Sequence, residues 1–396
     1  PIWYPLDADG EPDHDNPILP NESDLPIDPS TDVPAGYSVD QRDVPGGFTG
    51  DPDVLDTWAT SSLSPHIASK WEESDTLFSQ VFPMDMRPQG HDIIRTWLFS
   101  SMVRSHHEHQ EIPWQHAALS GWILDPDRKK MSKSKGNVVT PMALFESYGT
   151  DAVRYWAASA RPGVDTAFSE DQMKVGRKLA NKLLNITRFV HGFGSAPTND
   201  VALNAVDASM LRRLDAVIAE ATAAFEEFDY ARALERTESF FWWFCDDYVE
   251  LVKSRAYDTE HEHQSSALLA LHTAVTTLQR LFAPLIPFAT EEAWRWDNES
   301  SIHISSWPTT TNVNGDSELL NPILDALAQV RRAKTEAKVS QRAVVESVTV
   351  SVPSGQRAAL DAGIDDLCRA GSIETITVND TDGDAVTCDV TLAPQE

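Results

Sequence analysis

The 396 residues carry 61 acidic against 32 basic side chains, a net charge of −29, and 41% of them are hydrophobic. This is too long for one ordinary domain and apolar enough for more than one core. No apolar run reaches about 18 residues, so no membrane span is expected, and Pro1-Ile2-Trp3-Tyr4-Pro5 has neither the basic nor the apolar region of a secretory signal.

Cys245, Cys368 and Cys388 lie far apart, which excludes a disulfide framework and a zinc knuckle and fits a reducing cytoplasm. The acid surplus argues against a nucleic-acid partner unless the few basic residues cluster, because phosphate must be met by Lys or Arg. Acid spread through loops and helix faces, with little lysine, is read as adaptation to a salt-rich cytoplasm.

Residues 1–50 are rich in Pro, Asp and Gly and read as a linker or connective segment. In residues 51–168 short apolar runs alternate with helical stretches. Val81-Phe82-Pro83-Met84 is expected as a buried strand, Asp92 to Val103 as a helix, and Ala117 to Leu124 as a strand ending in the turn Asp125-Pro126-Asp127. The alternation predicts an α/β sheet. Residues 169–310 are helical almost throughout, with apolar faces through Leu211, Leu214 and Ile218, through Phe240, Phe241 and Phe244, and through Leu268, Leu271 and Leu278; this predicts a bundle. Thr290 is expected to open its last helix. In residues 311–396 a helix over 324–338 precedes alternating stretches at 347–352 and 374–378, which predicts a small α+β appendage. The fold class is therefore α/β plus all-α.

The informative segment is Asp127-Arg128-Lys129-Lys130-Met131-Ser132-Lys133-Ser134-Lys135-Gly136-Asn137. Four lysines in seven residues, interleaved with serines and released by Gly136, suit a mobile loop that clamps a polyphosphate. Ammonium groups there neutralise charge that develops on phosphate oxygens, and hydroxyls add hydrogen bonds. A second basic group, Lys174, Arg177, Lys178 and Lys182, recurs at helical spacing and reads either as a phosphate-contacting face or as a solvated one. The stretches His106-His107-Glu108-His109 and His261-Glu262-His263 have poor ligand spacing and read as exposed helix ends, so no metal site is expected.

Lys130-Met131-Ser132-Lys133-Ser134 matches the KMSKS signature, and the chain resembles the class I aminoacyl-tRNA synthetases. Asp53 to Trp58 and Gly90-His91-Asp92-Ile93-Ile94-Arg95-Thr96-Trp97 are similar to the valyl branch, the latter in its archaeal form. Phe225 to Leu234, Phe241 to Tyr248, Leu285 to Trp294 and Ile302 to Pro308 are similar to the anticodon-binding bundle of the valyl and isoleucyl enzymes.

The resemblance implies the carboxyl-terminal half of a Rossmann-like nucleotide-binding domain, a stem-contact segment, an anticodon-binding bundle and the α+β tail. It implies ATP with Mg²⁺, L-valine and tRNA(Val) as partners, with isoleucine the near alternative and a non-catalytic tRNA-binding protein the distant one. Lys133 would stabilise the transition state of adenylate formation, with Lys130 as catalytic support. Gly90, Asp92, Lys130, Met131, Ser132, Lys133 and Ser134 would meet ATP. Trp58 and Trp97 would wall the amino-acid pocket, the alternative being a packed core aromatic for Trp97 and a buried anchor at a strand end for Trp58. Lys174, Arg177, Lys178 and Lys182 would contact tRNA, and Arg232, Arg236, Lys253 and Arg255 would approach the anticodon arm. The chain departs from the family in lacking a His-x-Gly-His signature, an editing domain and cysteines near Trp3-Tyr4. It is therefore expected to bind no zinc, to miss the amino-terminal half of the synthetase, and to form no adenylate alone.

Overall fold

The computed structural model describes residues 1–132, 136–198 and 200–394, and the chain forms two compact units, Pro1–Ala117 and Ala118–Glu396.

In the first unit, Trp3–Pro5 (β1) pairs antiparallel with Phe48–Gly50 (β2). The intervening Pro- and Asp-rich segment, expected as linker, wraps around Trp3, which is 1% exposed. The Trp3 indole N–H donates to the carbonyls of Pro29 (3.2 Å) and Asp32 (3.1 Å). Aspartates that terminate linker-like runs here act as local acceptors; Asp7 Oδ1 takes the N–H groups of Asp9 and Glu11.

Next come Thr57–Ser61 (α1), Ser64–Ala68 (α2) and Asp75–Val81 (α3). Ser74 caps α3 and Asp75 favours its positive N-terminus. Val81 therefore closes a helix, and the strand expected at 81–84 begins instead at Met84, as Met84–Gly90 (β3). The helix expected from Asp92 is a 3₁₀ turn (His91–Ile93), a π turn (Ile94–Leu98) and then Phe99–His109 (α4), stopped by Gln110 at φ 56°. Trp114–Ser120 (β4) pairs with β3.

In the second unit Ile123–Leu124 (β5) runs parallel to Thr166–Ala167 (β6), with Pro141–Tyr148 (α5) and Thr150–Ala158 (α6) between them. The bundle is Glu170–His191 (α7), Ala205–Glu226 (α8), Tyr230–Trp243 (α9), Val249–Tyr257 (α10), Gln264–Phe282 (α11) and Pro287–Trp294 (α12). A π turn at Phe244–Tyr248 joins α9 to α10. Helix α12 opens three residues before the expected Thr290, because Pro287 is preset for the first helical turn. The Asp151 carboxylate accepts the N–H groups of Phe288 (3.2 Å) and Ala289 (2.7 Å).

The chain ends in Leu320–Glu336 (α13), Val345–Pro353 (β7), Arg357–Ala362 (α14), Ile364–Gly371 (α15), Ile373–Thr381 (β8) and Thr387–Leu392 (β9). Strand β7 is central, parallel to β8 and antiparallel to β9, the strand the periodicity missed. Its Val348, Val350 and Val352 join Leu183, Leu214, Phe241, Leu278 and Leu327 in one core. The α+β segment is thus continuous with the bundle.

Beneath this core lies an ion network. Arg255, 1% exposed, donates to Asp207 (2.8 and 2.9 Å) and to Asp366 (2.9 and 2.9 Å), and the Tyr248 hydroxyl donates to Asp207 (2.7 Å). These bonds tie α10 to α8 and α15. Arg255 therefore cannot approach an anticodon arm, contrary to expectation; a fully paired, buried guanidinium is a structural tie.

Candidate functional site: a signature loop, a glycine–aspartate corner and a basic cleft

The signature loop grows out of β5. Asp125 N–H donates to the Lys129 carbonyl (2.9 Å) and its Oδ1 accepts from Lys129 N–H (2.8 Å), closing a tight turn with Arg128 at φ 63°. From the far side Asn137 donates to Asp125 Oδ2 (2.9 Å) and to the Lys130 carbonyl (3.3 Å), while its Oδ1 accepts Ser132 N–H (3.0 Å). The Asn137 hydrogen bond, reinforced by backbone N–H donors, holds the Asp125 carboxyl below the ordinary carboxylate range. Asp125 and Asn137 thus pin both ends of the lysine run. Sequence reasoning missed them as a pair; the only trace was an Asp and an Asn flanking the run.

Lys130 lies with Nζ 3.6 Å from the centroid of the Trp122 ring, exposed and with no acidic partner among the described residues. Trp122 is a second residue the sequence reading passed over. Met131 and Ser132 are half-buried at the loop base. Lys133 and Ser134 lie outside the described residues.

The first unit holds the other expected residues. Gly90 ends β3, and a Cβ there would stand 2.8 Å from Asp92 Oδ1. Glycine is what lets the Asp92 carboxylate fold over the strand end. Trp97 is half-buried; its indole N–H donates to the Ser61 carbonyl (2.6 Å) and the Ser64 hydroxyl (3.3 Å). Trp58 opens the same short helix α1, where its N–H is capped by Asp56 (2.9 Å), not the strand end considered as an alternative. Helix α1 is therefore the common support of both tryptophans.

The histidine run divides. His106 and His107 are exposed, whereas His109 turns inward, its ring 5.1 Å from His66, 4.9 Å from Phe82 and 5.5 Å from Trp71. A helix end read as exposed is half anchored, because α4 presents position 109 to the aromatic cluster of α2 and α3.

Helix α7 brings Lys174, Arg177, Lys178 and Lys182 to one cleft of about 480 Å³, with Asn181, Asn185, Trp242 and Asp246. Arg177 donates to the Ser147 carbonyl (3.1 Å), Lys178 sits 5.2 Å over Trp242, and Lys182 donates to Asp246 (3.0 Å). Burial pulls the Lys182 ammonium down, but the bond to Asp246 and nearby negative charge outweigh it and hold it above the ordinary lysine value. Lys174 pairs with Asp171 (2.8 Å) at an exposed i,i+3 spacing. The cleft combines cationic heads, amide side chains and an indole face, a mixture suited to phosphate and base contacts.

Residues 33–169 match the family of class I tRNA synthetases (I, L, M and V), and residues 207–350 match the anticodon-binding domain of tRNA ligases. The chain is a portion of a class I tRNA synthetase catalytic domain followed by an anticodon-binding helical domain. It is 55% identical to the valine–tRNA ligase of Thermobifida fusca, across 100% of this chain and 46% of that one. It is 53% identical to that of Salinispora tropica, across 96% and 47%. The chain thus spans about half the length of these curated relatives. The archaeal, halophilic type expected from the sequence finds no support among them. Among solved structures, the ternary complex of Agrobacterium radiobacter K84 agnB2 LeuRS with tRNA and LeuAMS shares the fold, with TM-score 0.55 and 18% identity, over 89% of this chain and 43% of that one.

Proposed function

We propose that the chain is the downstream part of a cytoplasmic valine–tRNA ligase, which uses ATP and Mg²⁺ to form valyl-adenylate and then transfers the valyl group to tRNA(Val). The observation that carries this reading is 55% identity over the full chain to a valine–tRNA ligase. In it the Asp125–Asn137 frame presents the signature lysines to the triphosphate. Lys133 neutralises charge as pyrophosphate leaves, and Lys130, whose weak hold on an indole is easily exchanged, joins it when ATP arrives. Met131, Ser132 and Ser134 line the triphosphate side. Gly90 gives the adenosine access to backbone, and Asp92 accepts from ribose hydroxyls. Trp58 and Trp97 wall the valine pocket, and Lys174, Arg177, Lys178 and Lys182 meet tRNA phosphates.

The test is amino-acid-dependent ATP–pyrophosphate exchange by this chain joined to the upstream catalytic segment of its relatives, with Lys133→Ala as control. Valine-driven exchange that falls at least about 100-fold in the variant is expected. Exchange driven by isoleucine overturns the specificity. Silence with valine, isoleucine and leucine alike, while tRNA still binds, overturns the ligase reading in favour of an RNA-binding protein.

A further inference from the structure

In the first unit one side chain breaks the ordinary rule for buried charge. Arg87 lies in the middle of β3 and is 8% exposed. Its Nε and Nη2 are buried without a hydrogen-bond partner, and no carboxylate lies within ion-pair distance of it among the described residues. A guanidinium taken from water without a counter-ion is costly, and an apolar side chain of similar volume would fill the space without that cost. What the guanidinium has instead is two indoles. Its Cζ stands 3.4 Å from the centroid of the Trp97 ring and 4.9 Å from that of Trp114, itself buried. A separation of 3.4 Å is van der Waals contact with the ring, and a planar, weakly hydrated guanidinium can cover more of an indole than a compact ammonium can.

Trp97 is thereby held in two ways. Its N–H edge is tethered to Ser61 and Ser64 on the α1–α2 side, and one face is backed by the Arg87 plate. The tether alone fixes where the indole edge points but leaves the ring free to tilt about that bond. Contact of the Arg87 guanidinium with the ring opposes that tilt.

We propose that Arg87 is a positioning residue for amino-acid selection: packed against Trp97 and Trp114, it sets the plane in which Trp97 meets the substrate side chain. This rests on the reading of Trp97 as a pocket wall. A branched aliphatic side chain is discriminated from a larger or smaller one mainly by the fit of the surfaces around it, so a tilting wall weakens valine binding and blurs selection while ATP contacts persist.

The test has two arms. In the polypeptide that joins this chain to the upstream catalytic segment, Arg87→Met is expected to raise the KM for valine about tenfold, to leave the KM for ATP within about twofold, and to narrow the preference for valine over isoleucine. Arg87→Lys, which keeps the buried charge but not the plane, is expected to fall between Met and the native residue. In the 396-residue chain labelled with 5-fluorotryptophan, Arg87→Met is expected to shift the ¹⁹F resonance assigned by Trp97→Phe. Equal losses for valine and ATP, or an unmoved Trp97 resonance, overturn the proposal and leave Arg87 a packing residue. Trp97→Ala separates the layers. An unchanged valine KM in that variant overturns the pocket reading itself, whereas a raised KM alongside an indifferent Arg87→Met overturns only the role of Arg87.

Discussion

The helical and α+β region from α7 to β9 and the synthetase segment before it treat their polar and apolar groups differently. In the former, a buried arginine meets two carboxylates, a tyrosine meets one of them, and long helices bury one apolar face each in a single core. In the latter, the strands are short and paired two by two. Arg87 there is buried with no ion pair among the described residues. The contrast teaches that stability and chemistry are housed apart. The bundle pairs its buried Arg255, Asp207 and Asp366 within itself, while the synthetase segment keeps its informative groups at loop ends, strand ends and half-buried indoles.

The sharpest way to break this comparison is Arg255→Ala. Removing one partner leaves two buried carboxylates, so the loss is expected to be about 3–5 kcal/mol in urea unfolding followed by far-UV circular dichroism. A loss under about 1 kcal/mol would deny the network its structural role. Asn137→Ala is expected to do the opposite: stability nearly unchanged, but pyrophosphate exchange by the joined polypeptide slowed about tenfold through loss of the hydrogen bonds that frame the loop. An unaltered rate would show that the loop needs no such frame. Next, Lys178→Ala is expected to weaken tRNA binding and to reduce the slope of log K against log salt by about 0.7–0.9; an unchanged slope would remove Lys178 from the phosphate contacts.

A smaller effect is expected from pH in the first unit. Burial depresses His66 below the ordinary 6.5, with His109 adding to it. A histidine that binds its proton less readily when folded gives stability that is present above pH 6.5 and is lost as pH falls from there through the folded value. His66→Phe is expected to flatten that acid limb, read by hydrogen exchange in α2–α4; a limb of the same size in the variant would assign it elsewhere. The smallest expected effect is that of salt. At a net charge of −29, screening should raise the melting temperature by a few degrees between low and moderate KCl. Indifference to salt would mean that the acids are too dispersed to repel one another.

Much of the chemistry is legible in the order of residues alone. The lysine run stands out in an acidic chain because its chemistry is local: phosphate contact needs adjacent cations. Helix periodicity outlines the bundle because each face buries the same side every three to four residues. Short elements are misread where a single residue tips the choice. Ser74 turns an apolar run into α3, and Pro287 opens a helix before its acidic residues.

What the sequence by itself determined is therefore the order of regions, the nature of the signature loop and the placement of cations along α7. Only the tertiary structure decided which charges are available. Arg255 and Arg87 look alike in the chain, yet one is locked between carboxylates and the other packs against indoles. The same holds for Trp3, which turns an apparent linker into a packed segment, and for Asp125 and Asn137, which meet across the lysine run. The physical reason is common to all of them. Periodicity reports which side of an element is buried, but the partner of a buried polar group comes from a distant element that local sequence does not encode.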